Sequence, residues 1–402
     1  MRCKLSDIAE VIMGQSPKSQ YYNSVGVGTP FLQGNRTFGF KRPVFDTYTT
    51  VVTKKASAGD VIMSVRAPVG DINITPVDIC LGRGVCSLRM KNGNQEFLYY
   101  LMKYYMPQLI NKESGTVFGS VNRNDIRGLE IDIPESASSQ REIARYMTML
   151  DDKIELNIAI NNNLEQQAVV LFRSWFSAFS LSLNSSRVNS EFGEIPEDFE
   201  VVKVGSLPML VTDYVANGSF ASLKVNVNLY QEPNYAYFIR NTDLKSGSFG
   251  VFVDQHSYEF LSKSTLYGGE IIISNVGDVG SVFLCPKLNG RMTLGNNIIM
   301  LRPEDNHLRY YLYIWFKYLQ GQSLIQGIKG GSAQPKFNKT DFKNTSILIP
   351  PKDILMRFHE TVAPMFETIS QRQTETSRLT DLRDTLLPQL MSGELDVSDI
   401  DL

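Results

Sequence analysis

The chain of 402 residues holds only three histidines, His256, His307 and His359, and four cysteines, Cys3, Cys80, Cys86 and Cys285. No Cys-x-x-Cys pair occurs and the cysteines lie far from the histidines along the chain. Neither a zinc site nor a disulfide scaffold is therefore suggested, and the thiols are expected to be buried. Long apolar runs are missing too: no stretch of about 18 apolar residues could span a bilayer. Residues 1–14 lack the basic start, apolar core and small-residue cleavage site of a secretory signal. The expectations are a cytoplasmic protein and no membrane contact.

Traces of catalysis are equally thin. No Gly-x-x-x-x-Gly-Lys occurs, and Leu81-Gly82-Arg83-Gly84 lacks the third glycine and the acidic ribose ligand of a dinucleotide loop, so it reads as a hairpin turn. Ile349-Pro350-Pro351-Lys352 is similar to the Pro-Pro element of amino-methyltransferases, but the polar residue before it and the aromatic after it are missing. It reads as a strand terminator. The carboxylates form no acidic pair followed by Glu-x-Lys that would hold Mg²⁺ for phosphodiester cleavage. No catalytic residue, no metal and no cofactor are expected in this chain.

The net charge of −2 excludes a chain that simply coats nucleic acid, but it hides a gradient. Residues 1–140 hold 16 Lys and Arg against 12 Asp and Glu, whereas residues 353–402 hold 4 against 10. Residues 141–190 and 191–352 are balanced, at 5 against 5 and 15 against 15. If the ligand is DNA, contact should come from local clusters on two roughly neutral globular parts, with the acidic end held away from phosphate.

What the chain does contain is itself, twice. Gly59-Asp60-Val61-Ile62-Met63-Ser64 is answered by Gly269-Glu270-Ile271-Ile272-Ile273-Ser274, and Val69-Gly70 by Val279-Gly280, at a displacement of 210. Leu88-Arg89 is answered by Leu301-Arg302, and Tyr99-Tyr100-Leu101 by Tyr310-Tyr311-Leu312. Gly115, Asp125 and Ile133-Pro134 recur 216 residues on as Gly331, Asp341 and Ile349-Pro350. In each copy, short apolar runs at 61–65 and 271–274 suit buried strands. Aromatic-rich helical stretches follow at 97–110 and 308–319, whose rings are expected in the core. Strands at 129–133 and 345–349 close the copies.

A heptad-like helix follows each copy. In the first, Ile143, Met147, Leu150, Ile154, Asn157, Asn161, Leu164, Ala168, Leu171 and Trp175 step by four and three, the seam of a coiled coil. In the second, Phe358, Val362, Met365, Ile369, Arg372, Thr376, Leu379, Arg383, Leu386 and Leu390 repeat it 215 residues later. Polar seam positions coincide: Asn157 and Asn161 match Arg372 and Thr376, and such layers fix register or partner at some cost in stability. Two such helices most simply pair antiparallel. The 33 residues from Ile143 to Trp175 would make a rod roughly 50 Å long. That length could hold two domains about one DNA turn, roughly 34–36 Å, apart. Residues 180–190, rich in Ser and Asn, read as a linker.

At its junctions the sequence resembles the specificity subunit of type I restriction-modification systems, along essentially the whole chain. Gln140-Arg141-Glu142-Ile143-Ala144 through Leu150-Asp151-Asp152-Lys153-Ile154-Glu155-Leu156-Asn157 is similar to that family's central region. Leu382-Arg383-Asp384-Thr385-Leu386-Leu387-Pro388-Gln389-Leu390-Met391-Ser392-Gly393-Glu394-Leu395 is similar to its carboxy-terminal region. Lys4-Leu5-Ser6-Asp7-Ile8-Ala9 and Gly193-Glu194-Ile195-Pro196-Glu197-Asp198-Phe199 resemble the starts of its two recognition domains, and Gly331-Ser332-Ala333-Gln334-Pro335 a loop near the domain's end. The first copy departs there, reading Gly115-Thr116-Val117-Phe118-Gly119.

Repeat, helices and resemblance together imply a mixed α/β fold in a pseudo-twofold arrangement. Target-recognition domains would occupy 1–140 and 199–352, helical spacers forming an antiparallel coiled coil 141–178 and 353–391, a linker 179–198 and an acidic tail 392–402. The resemblance further implies that each domain reads one half of a bipartite, asymmetric site on double-stranded DNA while the helices set the spacer and dock the modification subunits. It implies two modification (methyltransferase) subunits supplying S-adenosylmethionine and adenine-N6 methyl transfer. Two restriction subunits would supply ATP- and Mg²⁺-dependent translocation and cleavage.

Base contacts do not follow from the resemblance and are chosen on chemistry: Arg for guanine, Asn and Gln for adenine, Lys for phosphate. Gln33, Asn35, Arg36, Arg66, Arg83, Asn122 and Arg123 qualify in the first domain. Arg240, Asn241, Asn275, Arg291, Asn296, Lys329, Gln334 and Lys336 qualify in the second. Two other readings stand beside this one. A coiled-coil scaffold with duplicated protein-binding domains would show no sequence preference on DNA, and a nuclease of unfamiliar motif would cleave DNA by itself with a divalent metal.

Overall fold

In a computed structural model of the chain, residues 1–111, 119–182, 184–331 and 334–397 are described. Gly115-Thr116-Val117-Phe118 of the first loop, Ser332 and Ala333 of its counterpart, and residues 398–402 of the acidic tail lie outside the described residues. The protein divides into two compact units, Met1–Ile158 with the residues from Arg378 onward, and Ala159–Ser377. Among the described residues no helix is long and apolar enough to cross a membrane.

In the first unit, a four-stranded antiparallel sheet runs in the order Ala9–Met13, Val85–Met90, Val61–Ser64, Ile72–Ile74. A five-stranded sheet runs Tyr22–Asn23, Tyr48–Thr49, Thr29–Leu32, Ile79–Leu81, Lys55–Ala56, and its Thr29–Leu32 and Ile79–Leu81 strands are parallel. Arg2–Lys4 pairs with Glu130–Asp132, tying the start of the domain to its end. The central strand Val61–Ser64 is buried on both faces, as its unbroken apolar run implies. Val61 and Met63 join the core under the helix Gln95–Asn111, while Ile62 joins a second core beneath the five-stranded sheet.

The second unit repeats this plan strand for strand. Met209–Asp213, Ile298–Pro303, Ile271–Ser274 and Val282–Leu284 form the four-stranded sheet. Leu229–Tyr230, Phe252–Val253, Ala236–Ile239, Arg291–Leu294 and Thr265–Leu266 form the other, again with one parallel pair, Ala236–Ile239 with Arg291–Leu294. Even the register is kept: Leu88 faces Val61, and Leu301 faces Ile271. The Gly-Asp and Gly-Glu turns have a structural reason. Asp60 and Glu270 are buried at 2–3% exposure and accept from Arg89 Nε at 2.7 Å and Arg302 Nη2 at 2.9 Å. The expected linker is not featureless, because Arg187–Ser190 and Gly193–Pro196 close an antiparallel hairpin.

The long helices are Ala137–Phe176 and Lys352–Ser392. In the first unit the start of the former packs on the end of the latter: Ile143, Ala144 and Met147 share a core with Leu387, Leu390 and Met391, and Asp151 meets Arg383. In the second unit the ends exchange, and Ala168, Phe172 and Phe176 share a core with Ile354, Phe358 and Val362. The pair is thus antiparallel. All twenty residues of the two heptad-like series are buried or half-buried, including Asn157 at 0% exposure. Their aromatic-rich neighbours are core as well, with Phe97–Met102 and Tyr310–Phe316 buried throughout.

Candidate nucleic-acid interface

At one end of the first domain, five loops are stitched into a single surface by backbone and side-chain hydrogen bonds. Gly82 N–H donates to Leu32 O and Gly84 N–H to Gln33 O, so the turn after Ile79–Leu81 lies on the loop after Thr29–Leu32. A Cβ on Gly84 would sit 2.3 Å from Gln33 O, which is why a glycine stands there. Val65 N–H donates to Gly84 O, and Val121 N–H to Val65 O, which adds the turn at Arg66 and the loop at Asn122. Ser16 completes the surface: its hydroxyl donates to Gln33 Oε1 at 2.8 Å and accepts from the Arg83 N–H at 3.1 Å.

These loops surround a cavity of about 950 Å³. Gln33, Asn35, Arg36, Arg66 and Arg83 all line it. Their states differ. Arg36 is ion-paired with Asp46 at 2.8 Å, and Asn35 Nδ2 donates to Asp71. Among the described residues Arg66 and Arg83 have no carboxylate partner, and both are exposed. The lining holds three arginines against one aspartate, so the cavity is cationic although the chain is not. Asn122 caps the short helix Arg123–Arg127, its Oδ1 accepting from Asn124 N–H and Asp125 N–H, while Arg123 is exposed. Replacing Asn122 by Ala should cost about 1 kcal/mol of stability, read as a shift in the urea unfolding midpoint.

The second domain repeats three of these four backbone bonds. Gly295 N–H donates to Ile239 O, Asn275 N–H to Asn297 O, and Phe337 N–H to Asn275 O. Asn297 takes the place of Gly84 and holds a left-handed φ of 64°, which Asn tolerates better than most residues. Arg240, Asn241, Asn275, Asn296, Lys329, Gln334 and Lys336 belong to these loops. Here Arg240 pairs with Asp243 at 2.6 Å, Lys245 with Asp278 at 2.6 Å and Lys339 with Asp213 at 3.0 Å, while Lys329 and Lys336 are exposed and have no carboxylate partner among the described residues. Asn241 Nδ2 donates to Asp278, Asn275 Nδ2 to Phe337 O and Lys329 Nζ to Gln326 Oε1.

One candidate is not brought to this surface. Arg291 begins the strand Arg291–Leu294, whose far end leads into the Gly295 turn, and its guanidinium lies 4.5 Å from the centre of the Tyr235 ring. Side-chain chemistry selects Arg291 but does not fix which end of its strand it marks. Nor does it select Ser16 or the ring pair Tyr22 and Phe31, 4.6 Å between centroids, which line the cavity. The antiparallel strand Tyr48–Thr49 links the strands of the two rings, and the parallel pairing of Thr29–Leu32 with Ile79–Leu81 brings Gln33 and Arg83 to Ser16.

Among the described residues no group of three or more His, Cys, Asp and Glu could hold a metal ion. Cys80, Cys86 and Cys285 are buried and Cys3 half-buried, and burial pushes the Cys86 thiol up to about 12, far from a reactive thiolate.

Two copies of one fold that share their bonding and differ in the side chains at their loop ends make a recognition protein, whose scaffold is kept while its contacts change. The family follows directly, because the sequence model of the type I restriction modification DNA specificity domain matches residues 1–166 and 196–378, and the chain belongs to that family. It is a specificity subunit of a type I restriction-modification system, the DNA-recognising and non-catalytic component. Over 99% of its length it is 27% identical to the type I restriction enzyme MjaIX specificity subunit of Methanocaldococcus jannaschii, of which it covers 94%. Over 97% of its length it is 26% identical to the HindI specificity subunit of Haemophilus influenzae, covering 98% of that chain. In fold it is similar to the S subunit of the type I restriction-modification system from M. genitalium. That likeness has a TM-score of 0.58 at 16% identity, covering 97% of this chain and 95% of the other.

Proposed function

We propose that each domain reads one half of a bipartite, asymmetric DNA site through its stitched loop end, that the paired helices set the unread spacer, and that the helices' outer faces dock two modification subunits. Those subunits bring S-adenosylmethionine and methylate adenine N6, and two restriction subunits bring ATP- and Mg²⁺-dependent translocation and cleavage. The complex works in the cytoplasm. The observation that carries this reading is the same loop surface built twice on three matching backbone bonds with different side chains: Gly82-Arg83-Gly84 in one copy, Gly295-Asn296-Asn297 in the other. An asymmetric ligand with two similar halves is what such a pair fits.

The helices supply the test. Deleting one heptad from each, in matched positions, shortens the pair by roughly 10 Å at 1.5 Å per residue, the length of about three base pairs. Methylated adenines mapped in DNA from cells expressing the chain with its modification partner should then show the same two half-sites around a shorter spacer. An unchanged spacer would end the reading of the helices as a ruler.

A further inference from the structure

Two of the three arginines that line the first domain's cavity are free of ion pairs. Arg66 and Arg83 line the first domain's cavity, are exposed, and among the described residues have no carboxylate partner, whereas Arg36 beside them is held by Asp46. The bonds shared by the copies fix their counterparts. Val65 N–H to Gly84 O corresponds to Asn275 N–H to Asn297 O, so Arg66 answers to Val276 and Arg83 to Asn296. The second domain's Arg240 is neutralised by Asp243 at 2.6 Å. A free guanidinium fork is thus present twice in one cavity and is replaced at both matching places in the other copy.

We infer that Arg66 and Arg83 determine the specificity of the first domain, each reading a guanine, and that the second half-site is read without guanine at the matching positions. This rests on the two-half-site reading above and says what one half contains. Guanine presents two acceptors, O6 and N7, on its major-groove edge, which a guanidinium meets with two parallel N–H donors. Adenine presents an acceptor and a donor, which suits Asn296, and Val276 can offer only apolar contact, which suits a thymine methyl.

The mounting of the two side chains favours base readout over loose attraction to phosphate. Arg83 stands between glycines whose Cβ positions are closed by Gln33: a Cβ on Gly82 would lie 2.7 Å from Gln33 Cα. Its own N–H is held by Ser16 Oγ at 3.1 Å. Arg66 opens a turn closed by the Ser64 hydroxyl, which donates to Pro68 O at 2.9 Å and accepts from Asp71 N–H at 3.0 Å, and its backbone bridges to Ser120. Gln33 beside them has its Oε1 occupied by the Ser16 hydroxyl, which leaves its amide N–H groups as its remaining donors. A rigid mount loses little freedom on binding, and the cavity's excess of cations draws the duplex in.

The test selects sites from a randomised duplex DNA library with the chain assembled on its modification subunits. The wild-type complex should select guanine at one or two positions of one half-site. Arg83→Asn and Arg66→Val, which install the second copy's residues, should each lower discrimination for one of those guanines roughly 5- to 150-fold and leave the other half-site unchanged. Arg83→Lys keeps the charge but not the fork, and should lose discrimination almost as fully. Since both side chains are exposed, the variants should unfold at the wild-type midpoint. Variants that weaken binding equally to all sequences, with a shallower salt dependence, would identify phosphate contacts and overturn the inference. So would a first half-site without guanine, while leaving the two-half-site reading standing; a complex that selects no split site would end that reading itself.

Discussion

Arg383→Ala is expected to destabilise the first unit by about 3–5 kcal/mol. Its guanidinium is the main partner of Asp151, which is fully buried: Arg383 Nη1 donates to Asp151 Oδ1 at 2.8 Å and the Tyr100 hydroxyl to Oδ2 at 2.8 Å. The Lys103 ammonium stands farther off at 3.7 Å, and burial pushes it below the ordinary lysine range. Removing the guanidinium leaves a carboxylate out of water with one hydroxyl and one reluctant cation. The cost is therefore that of an uncompensated charge rather than of a surface ion pair. The double variant Asp151→Leu with Arg383→Met should regain most of the loss. The second copy carries such an exchange already, since the positions 215 residues away from Asp151 and Arg383 are Phe366 and Ala168. There Tyr310 stacks on Phe366 at 4.4 Å with the rings 7° apart. Urea unfolding followed by circular dichroism measures the effect. A loss below 1 kcal/mol for the single variant, or none regained by the double, would show that the pair is not what holds this junction.

Phe358→Ala should cost the second unit about 3–5 kcal/mol. Phe358 is fully buried on the C-terminal helix and meets three rings of the central helix, Phe172 at 6.0 Å, Trp175 at 5.7 Å and Phe176 at 4.9 Å. Tyr311 packs on two of these, Phe172 at 5.3 Å and Phe176 at 4.9 Å, so truncation opens a cavity that four large rings cannot fill without leaving their rotamers. The readout is built in. The chain's two tryptophans, Trp175 and Trp315, both lie in the second unit, so tryptophan fluorescence follows its unfolding alone. Phe358→Ala should lower that transition, and Arg383→Ala should leave it in place while moving the circular-dichroism signal. If both variants moved both signals equally, the units would unfold as one.

The contrast between these junctions shows what a repeated sequence can and cannot convey. The internal match placed the strands Val61–Ser64 and Ile271–Ser274 and the aromatic helices because local apolar patterning specifies them. The five-stranded sheets were not legible. Strands as short as Tyr22–Asn23 or Thr265–Leu266 have no period to read, and the parallel pairing of Thr29–Leu32 with Ile79–Leu81 joins segments some fifty residues apart. Asn122 was legible as a cap as much as a DNA contact, since Asn122-Arg123-Asn124-Asp125 is an Asn-x-x-Asp capping sequence.

The sequence alone determined the duplication, the paired helices and the absence of a catalytic motif, because each is written in residues close to one another or at a constant displacement. Only the tertiary structure decided which of the candidate cations are free to meet DNA. Arg36 is taken by Asp46 and Arg240 by Asp243, Arg291 is turned to the opposite end of its strand, and Arg66 and Arg83 are left open beside one cavity. The availability of a charge depends on what folding brings within about 4 Å of it, where opposite charges interact strongly. Spacing along a chain does not fix that distance.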